Sequence, residues 1–106
     1  MNPQINGVLL ELCDQLRSLY GSRLVRVVLF GSQARGDAEA GSDIDVLVVL
    51  QGEVAAGTEI LKIGPITSSL SLKFNVVLSC TFMPLDRYSA EQSPLLINVR
   101  HEGIPL

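Results

Sequence analysis

Two aspartates separated by a single residue, Asp43 and Asp45, are the side chains of this sequence best suited to chemistry. Alternate residues of an extended strand point to the same face, so a strand at this position would present both carboxylates together. Two neighbouring carboxylates repel each other unless a cation lies between them. Mg²⁺ binds one or two carboxylates and completes its coordination with substrate phosphates. The pair therefore predicts a magnesium site.

A glycine–serine turn, Gly31-Ser32, comes directly after a hydrophobic run, and ten residues separate it from the first aspartate. Glycine lets the backbone approach a phosphate closely, and the N–H groups of such a turn, with the Ser32 hydroxyl, would contact phosphate oxygens. A metal held by the aspartates would then bridge the β- and γ-phosphates. Turn and aspartates together predict a site for a metal-bound triphosphate.

Hydrophobic spacing predicts the elements that must position this site. In chain order these are helix 5–19, strand 24–30, strand 43–50, a helix from residue 58 that Gly64-Pro65 kinks or restarts, strand 74–83, and a helix from Ser93-Pro94 to Gly103. The second strand is apolar on both faces and so needs cover on both. This order indicates an α/β (α+β) fold with a short mixed sheet and helices mainly on one face.

The length and composition limit the classes of protein to which this chain can belong. With 106 residues and 47% hydrophobic content, the chain predicts one domain spanning residues 1–106. A net charge of −3 argues against a nucleic-acid substrate, which needs a basic face. Cys13 and Cys80 lack metal or disulfide spacing and are predicted to be reduced core residues. No membrane span or signal pattern is present, so we expect a cytoplasmic protein that does not bind membranes.

The segments G-S-Q-A-R-G and S-D-I-D-V-L-V, with their spacing, resemble the signature of the polymerase β-like nucleotidyltransferase superfamily. The short length is similar to that of its minimal (MNT-type) members, which are often encoded beside a HEPN-domain partner as toxin–antitoxin pairs. The resemblance continues to the closing segment L-L-x-N-V-R-x-E-G. It implies a single nucleotidyltransferase domain with the nucleotidyltransferase fold.

What the resemblance implies is a magnesium-dependent transfer of a nucleoside monophosphate, commonly AMP from ATP, to an acceptor hydroxyl. In toxin–antitoxin members that hydroxyl belongs to a tyrosine of the partner toxin. Carried over by position, Gly31 and Ser32 would hold the triphosphate, and Asp43 and Asp45 would bind the metal.

Two positions leave alternatives open. Arg35 would either steady a phosphate oxygen or anchor its loop to an acid such as Asp37. The family pattern also has a third acid on a later strand, and the residue that lines up with it here is Asn75. Asparagine keeps an oxygen ligand but carries no charge and cannot serve as a base. Asp86 would substitute only if the strand is short.

These alternatives lead to two functional hypotheses. The first is an active antitoxin that modifies a HEPN-type toxin. The second is a degenerate nucleotidyltransferase that binds a nucleotide or a partner without turnover, because Asn75 replaces the acid. A lone catalytic domain leaves the acceptor site incomplete, so a partner protein or self-association is expected to complete it. Tyr20 and Tyr88 are predicted to be half-buried, and either also offers a hydroxyl for self-modification.

Overall fold

A computed structural model describes residues 3–39 and 41–106 of the chain. Within these ranges the elements are, in chain order, α1 (Pro3–Tyr20), β1 (Leu24–Phe30), α2 (Ser32–Arg35), β2 (Ile44–Leu50), α3 (Ala56–Phe74), β3 (Leu78–Pro84), α4 (Leu85–Ala90), α5 (Pro94–Glu102) and β4 (Ile104–Pro105). A single 3₁₀ turn at Gly21–Arg23 links α1 to β1.

The four strands form one mixed sheet in the order β3-β2-β1-β4. Strand β1 is antiparallel to both β2 and β4, while β2 and β3 are parallel. A parallel neighbour requires a long crossover, which α3 supplies. The mixed sheet predicted from the sequence is therefore confirmed. This topology brings the end of β1 and the beginnings of β2 and β3 to the same edge of the sheet.

Helices cover both faces of the sheet. The long helices α1 and α3 pack on one face against alternate side chains of the strands, such as Val46 and Val48 of β2. On the other face, Leu96 and Val99 of α5 pack against Leu47 and its neighbours. Every β2 residue from Val46 to Leu50 is fully buried, as the apolar run predicted. The predicted fold class is confirmed, with the two long helices on one face and shorter ones on the other.

Helix α3 is continuous where the sequence predicted a kink or a restart. Pro65 lies inside the helix and cannot donate the hydrogen bond of its turn. The Thr67 hydroxyl donates to the Gly64 carbonyl oxygen at 3.1 Å on the same turn. Ile63 and Leu70, on either side of the proline, are both buried in the core. Burial of this face on both sides of Pro65 holds the helix together across the proline.

The third strand begins later than predicted. Helix α3 runs to Phe74, and Asn75 is its C-cap in the left-handed conformation, with φ of 53°. The Asn75 backbone N–H donates to the Ser71 carbonyl oxygen, and β3 starts only at Leu78. Asparagine is one of the few residues other than glycine that suit this cap. Asn75 is therefore not a strand residue, contrary to the prediction.

Both cysteines carry free thiols in the structure and belong to the main core. Cys13 is buried on α1, and Cys80 is partly buried on β3. Burial raises the pKa of Cys80 to about 12, so the thiol stays protonated near neutral pH. Among the helices of the described residues, none has the length and apolar character needed to cross a membrane.

Candidate functional site

The glycine–serine turn and the aspartates meet at one edge of the sheet. Phe30, the last residue of β1, pairs with Asp45 of β2, so Gly31 follows immediately beside the carboxylate. A Cβ atom built on Gly31 would lie 2.6 Å from Oδ2 of Asp45, closer than any real side chain allows. Gly31 also has φ of 75°, which favours glycine. Only glycine allows the turn to approach the carboxylate this closely.

The two aspartates form an open carboxylate pair. Asp45 shares its face of β2 with Leu47, whereas Ile44 points into the opposite core. Burial, and then the nearby Asp43 carboxylate, raise the pKa of Asp45 above its ordinary value. In the described part of the chain, neither carboxylate has a hydrogen bond or an ion pair. A pair without a protein cation is suited to an added one.

The turn after β1 is built around the Gly31 carbonyl. The backbone N–H groups of Ala34 and Arg35 both donate to the Gly31 oxygen at 3.1 Å and start the short helix α2. Ser32 is half-buried, and its hydroxyl has no hydrogen-bond partner within residues 3–39 and 41–106. The sequence-predicted residues Gly31, Ser32 and Asp45 are therefore brought together.

Arg35 pairs with two acids. Its Nε donates to Asp37 at 3.1 Å, and one of its terminal nitrogens lies 3.5 Å from the Glu102 carboxylate. The contact with Asp37 is the anchoring alternative named above. The contact with Glu102, at the end of α5, was not predicted, because no local pattern links residues so far apart in the chain.

The residue beside Asp45 on the neighbouring strand is Ser79. The parallel register pairs Asp45 with Ser79, and adjacent strands lie about 4.8 Å apart. Leu78 and Cys80 face the core under α1 and α3, so Ser79 shares the face of Asp45 and is exposed. Ser79, and not Asn75, is thus the residue that lies beside Asp45 on the neighbouring strand. The period-2 alternation of L-S-C-T-F was the sequence signal that could have identified it.

Asp86 cannot replace the missing acid. It follows Pro84, which pairs with Leu50 at the far end of β2 from Asp45. Leu50 lies five residue steps from Asp45 along β2, or about 16 Å at 3.3 Å per residue. The Asp86 carboxylate instead accepts a hydrogen bond from the Arg87 backbone N–H.

The donors present fit a magnesium ion that is shared with a substrate. Among the described residues no group of three or more histidine, cysteine, aspartate or glutamate side chains could hold a metal by itself. Asp43 and Asp45 supply hard oxygen ligands, which suits Mg²⁺ because it keeps waters and phosphates in its coordination shell. These two residues are the ones that would hold it.

Comparison with known proteins places the chain in a family. The profile of the family described as "Nucleotidyltransferase domain" matches residues 9–105. A proposed protein adenylyltransferase of Methanocaldococcus jannaschii, MJ0141, is 37% identical over 76 residues, which is 72% of this chain and 76% of that protein. A toxin–antitoxin solved with AMP-PNP is 18% identical, with a TM-score of 0.64 over 90% of this chain and 68% of that one. A proposed minimal nucleotidyltransferase is 26% identical, with a TM-score of 0.62 over 100% of this chain and 97% of that one. This chain belongs to the nucleotidyltransferase domain family.

Proposed function

We propose that this domain transfers AMP from magnesium-bound ATP to a hydroxyl group of a partner protein, a HEPN-type toxin, and thereby acts as an antitoxin. The observation that carries the proposal is the close approach of the Gly31 turn to the Asp45 carboxylate, which brings a turn suited to phosphate beside a carboxylate pair suited to a metal. The similarity to a proposed protein adenylyltransferase and to a toxin–antitoxin solved with AMP-PNP supports it.

Each residue of the site has a role in this reaction. The Gly31 backbone and the Ser32 hydroxyl would bind and orient the triphosphate, while Asp43 and Asp45 would hold the metal. A bound magnesium ion supplies positive charge that stabilises the charge developing on the phosphate oxygens. The acceptor oxygen then bonds to the α-phosphorus and releases its proton to solvent as the bond to the departing pyrophosphate breaks.

The test is transfer of label from α-labelled ATP to a HEPN-type partner protein in the presence of Mg²⁺. Asp43→Asn and Asp45→Asn keep the shape of the side chains but remove the charge. We expect each to lower transfer by at least about 100-fold, the loss typical of removing a group that stabilises transition-state charge.

Asp14→Asn is the matched control, since Asp14 is an exposed aspartate of α1 whose carboxylate pairs with Arg17. It should transfer label at the wild-type rate. Undiminished transfer by the Asp43→Asn, Asp45→Asn double variant would remove the metal assignment.

A second candidate function is a binding module that holds magnesium-bound ATP, or a partner, without turnover. The position of Ser79 beside Asp45 supports it, because a serine hydroxyl is a weak metal ligand and a poor base. This hypothesis predicts that the wild-type protein binds ATP with little transfer.

Ser79→Asp supplies the missing acid and tests that second function. We expect transfer to rise about tenfold, which is less than an evolved general base contributes. Thr81→Asp is the matched control, because Thr81 is exposed on the same strand and pairs with Leu47 instead of Asp45. Equal effects of the two substitutions would show that Ser79 has no special relation to the site.

A further inference from the structure

The Asp43 carboxylate is held in place by the backbone alone. Asp43 is exposed and lies just before β2, which begins at Ile44. Its side chain makes no hydrogen bond or ion pair with any other residue that the structure describes. The backbone angles of a residue limit the rotamers of its side chain. Whatever fixes the two peptide groups on either side of Asp43 therefore limits where its carboxylate can lie.

One hydrogen bond anchors each of these two peptide groups. After Asp43, the backbone N–H of Ile44 donates to the Val77 carbonyl oxygen at 2.8 Å. Before Asp43, the Ser42 carbonyl oxygen accepts a hydrogen bond from Nε2 of Gln33 at 3.4 Å. The first bond joins two backbone groups and requires no particular side chain, whereas the second requires a donor at the end of one side chain. Gln33 is therefore the residue whose identity bears on the conformation of Asp43.

Gln33 connects the turn after β1 to the segment before β2. It lies on α2, whose first turn is built around the Gly31 carbonyl, and its side chain is partly buried. The Ser42 end of the connection is also held. Its N–H donates to the Glu39 carbonyl oxygen at 3.0 Å, and its hydroxyl accepts from the Glu39 N–H at 2.9 Å. Gln33 thus ties the turn suited to phosphate to the segment that carries Asp43.

We propose that Gln33 is a positioning residue, which by holding the Ser42 carbonyl keeps the Asp43 carboxylate where it can share a metal ion with Asp45. Mg²⁺ requires near-ideal octahedral geometry, so a displaced ligand weakens its binding. This inference rests on the proposed function, because the metal and the triphosphate belong to that function. In this role Gln33 acts through Asp43 and needs no contact with the metal or the phosphates.

Gln33→Met tests the hydrogen bond without any ligand, because methionine matches the length of glutamine but cannot donate. Amide hydrogen exchange at Ser42 and Ile44 should become about two- to fivefold faster, a small effect because 3.4 Å is long for such a bond. Exchange in α1 should stay as in the wild type. Unchanged exchange at Ser42 and Ile44 would overturn the proposal. Faster exchange throughout α1 would show a general stabilising role and would overturn it as well.

The metal role is tested by combining this substitution with Asp43→Asn and measuring the Kd for Mg·ATP by calorimetry. We expect Gln33→Met to raise this Kd about two- to fivefold when Asp43 is present. In the Asp43→Asn background it should leave the Kd unchanged, because the carboxylate that Gln33 positions is already gone. Equal increases in both backgrounds would overturn the positioning role, since residues that act independently have additive effects.

Gln92→Met is the matched control, because Gln92 is exposed between α4 and α5 and its side chain has no partner in the described part of the chain. Its hydrogen exchange and its Kd for Mg·ATP should equal those of the wild type. Failure of the wild type to bind Mg·ATP would overturn the proposed function and the metal role with it. The exchange measurement distinguishes that failure, because it reports on the Gln33 hydrogen bond in the absence of nucleotide.

Discussion

At the scale of a residue, the contacts of Arg35 bear on whether it binds phosphate or anchors its loop. The guanidinium is shared between Asp37, in its own turn, and Glu102, at the end of α5. Two residues after Glu102 the chain enters β4, which pairs with β1 beside the Gly31 turn. Arg35 thus links the turn to the C-terminal segment. We interpret it as a residue that positions the turn without contacting the phosphate.

The Glu102→Gln substitution distinguishes the two roles of Arg35, because they predict opposite changes in the Kd for Mg·ATP. If Arg35 positions the turn, losing the ion pair should raise the Kd for Mg·ATP about two- to fivefold, the modest effect expected of an exposed pair. If Arg35 instead binds phosphate, removing a competing carboxylate should lower that Kd. Isothermal titration calorimetry at low salt would measure the change, because salt screens exposed pairs.

Glu91→Gln is the matched control for this experiment. It breaks another ion pair, in which Arg87 Nε lies 2.8 Å from the Glu91 carboxylate. Its Kd for Mg·ATP should equal that of the wild type. Tighter ATP binding by Glu102→Gln would contradict the positioning role of Arg35.

At the scale of elements, short sequence patterns correctly predicted the helix and strand boundaries that lie within them. The β-branched run predicted β1 from Leu24 to Phe30 with both ends correct. The Ser93-Pro94 start of α5 is also correct, because the Ser93 hydroxyl accepts a hydrogen bond from the Leu96 N–H. The turn and the aspartates followed from the same kind of local pattern. Short-range spacing therefore predicted that the turn and the aspartates would lie close together.

The continuity of α3, the start of β3 and the strand neighbour of Asp45 depend on contacts between residues far apart in the chain. Helix α3 continues through Pro65 because its buried face packs against the core, and its late end shifts the start of β3 beyond Asn75. The residue next to Asp45 is set by the register of two parallel strands that are joined by this helix. The sequence therefore predicted Asn75 on the strand beside the aspartates, whereas the register places Ser79 next to Asp45.

On the scale of the whole molecule, the candidate site and a buried polar cluster lie at opposite ends of the sheet. At the far end from Asp45, the Tyr20 hydroxyl of α1 donates to Glu59 of α3 at 2.9 Å. Glu59 is only 3% exposed, and Lys62 and Arg23 lie 3.7 Å and 4.0 Å from its carboxylate. The cluster ties α1 to α3 without contacting the carboxylate pair. It also buries Tyr20, so this tyrosine is not an accessible acceptor for self-modification.

Tyr20→Phe should therefore lower stability without changing nucleotide binding. Removing the donor leaves the buried Glu59 oxygen under-satisfied, which should reduce the free energy of unfolding by about 1–3 kcal/mol. Chemical denaturation would measure this, with an unchanged Kd for Mg·ATP. Tyr88→Phe is the matched control, because the Tyr88 hydroxyl has no partner in the described residues; a similar loss there would contradict the role of the Tyr20–Glu59 bond.

The contribution of the Tyr20–Glu59 hydrogen bond to stability depends on pH, and the raised pKa of Tyr20 determines the direction of the change. Burial, and then the hydrogen bond to Glu59, raise the pKa of Tyr20 above its ordinary value. The unfolded chain then releases the phenol proton near pH 10, the ordinary pKa of tyrosine, whereas the folded chain retains it. The contribution of Tyr20 to stability is thus complete below about pH 10 and declines as the pH rises through the raised pKa. The difference in unfolding free energy between the wild type and Tyr20→Phe should shrink in alkaline solution. A difference that grew with pH would show that the phenol is not held protonated by this cluster.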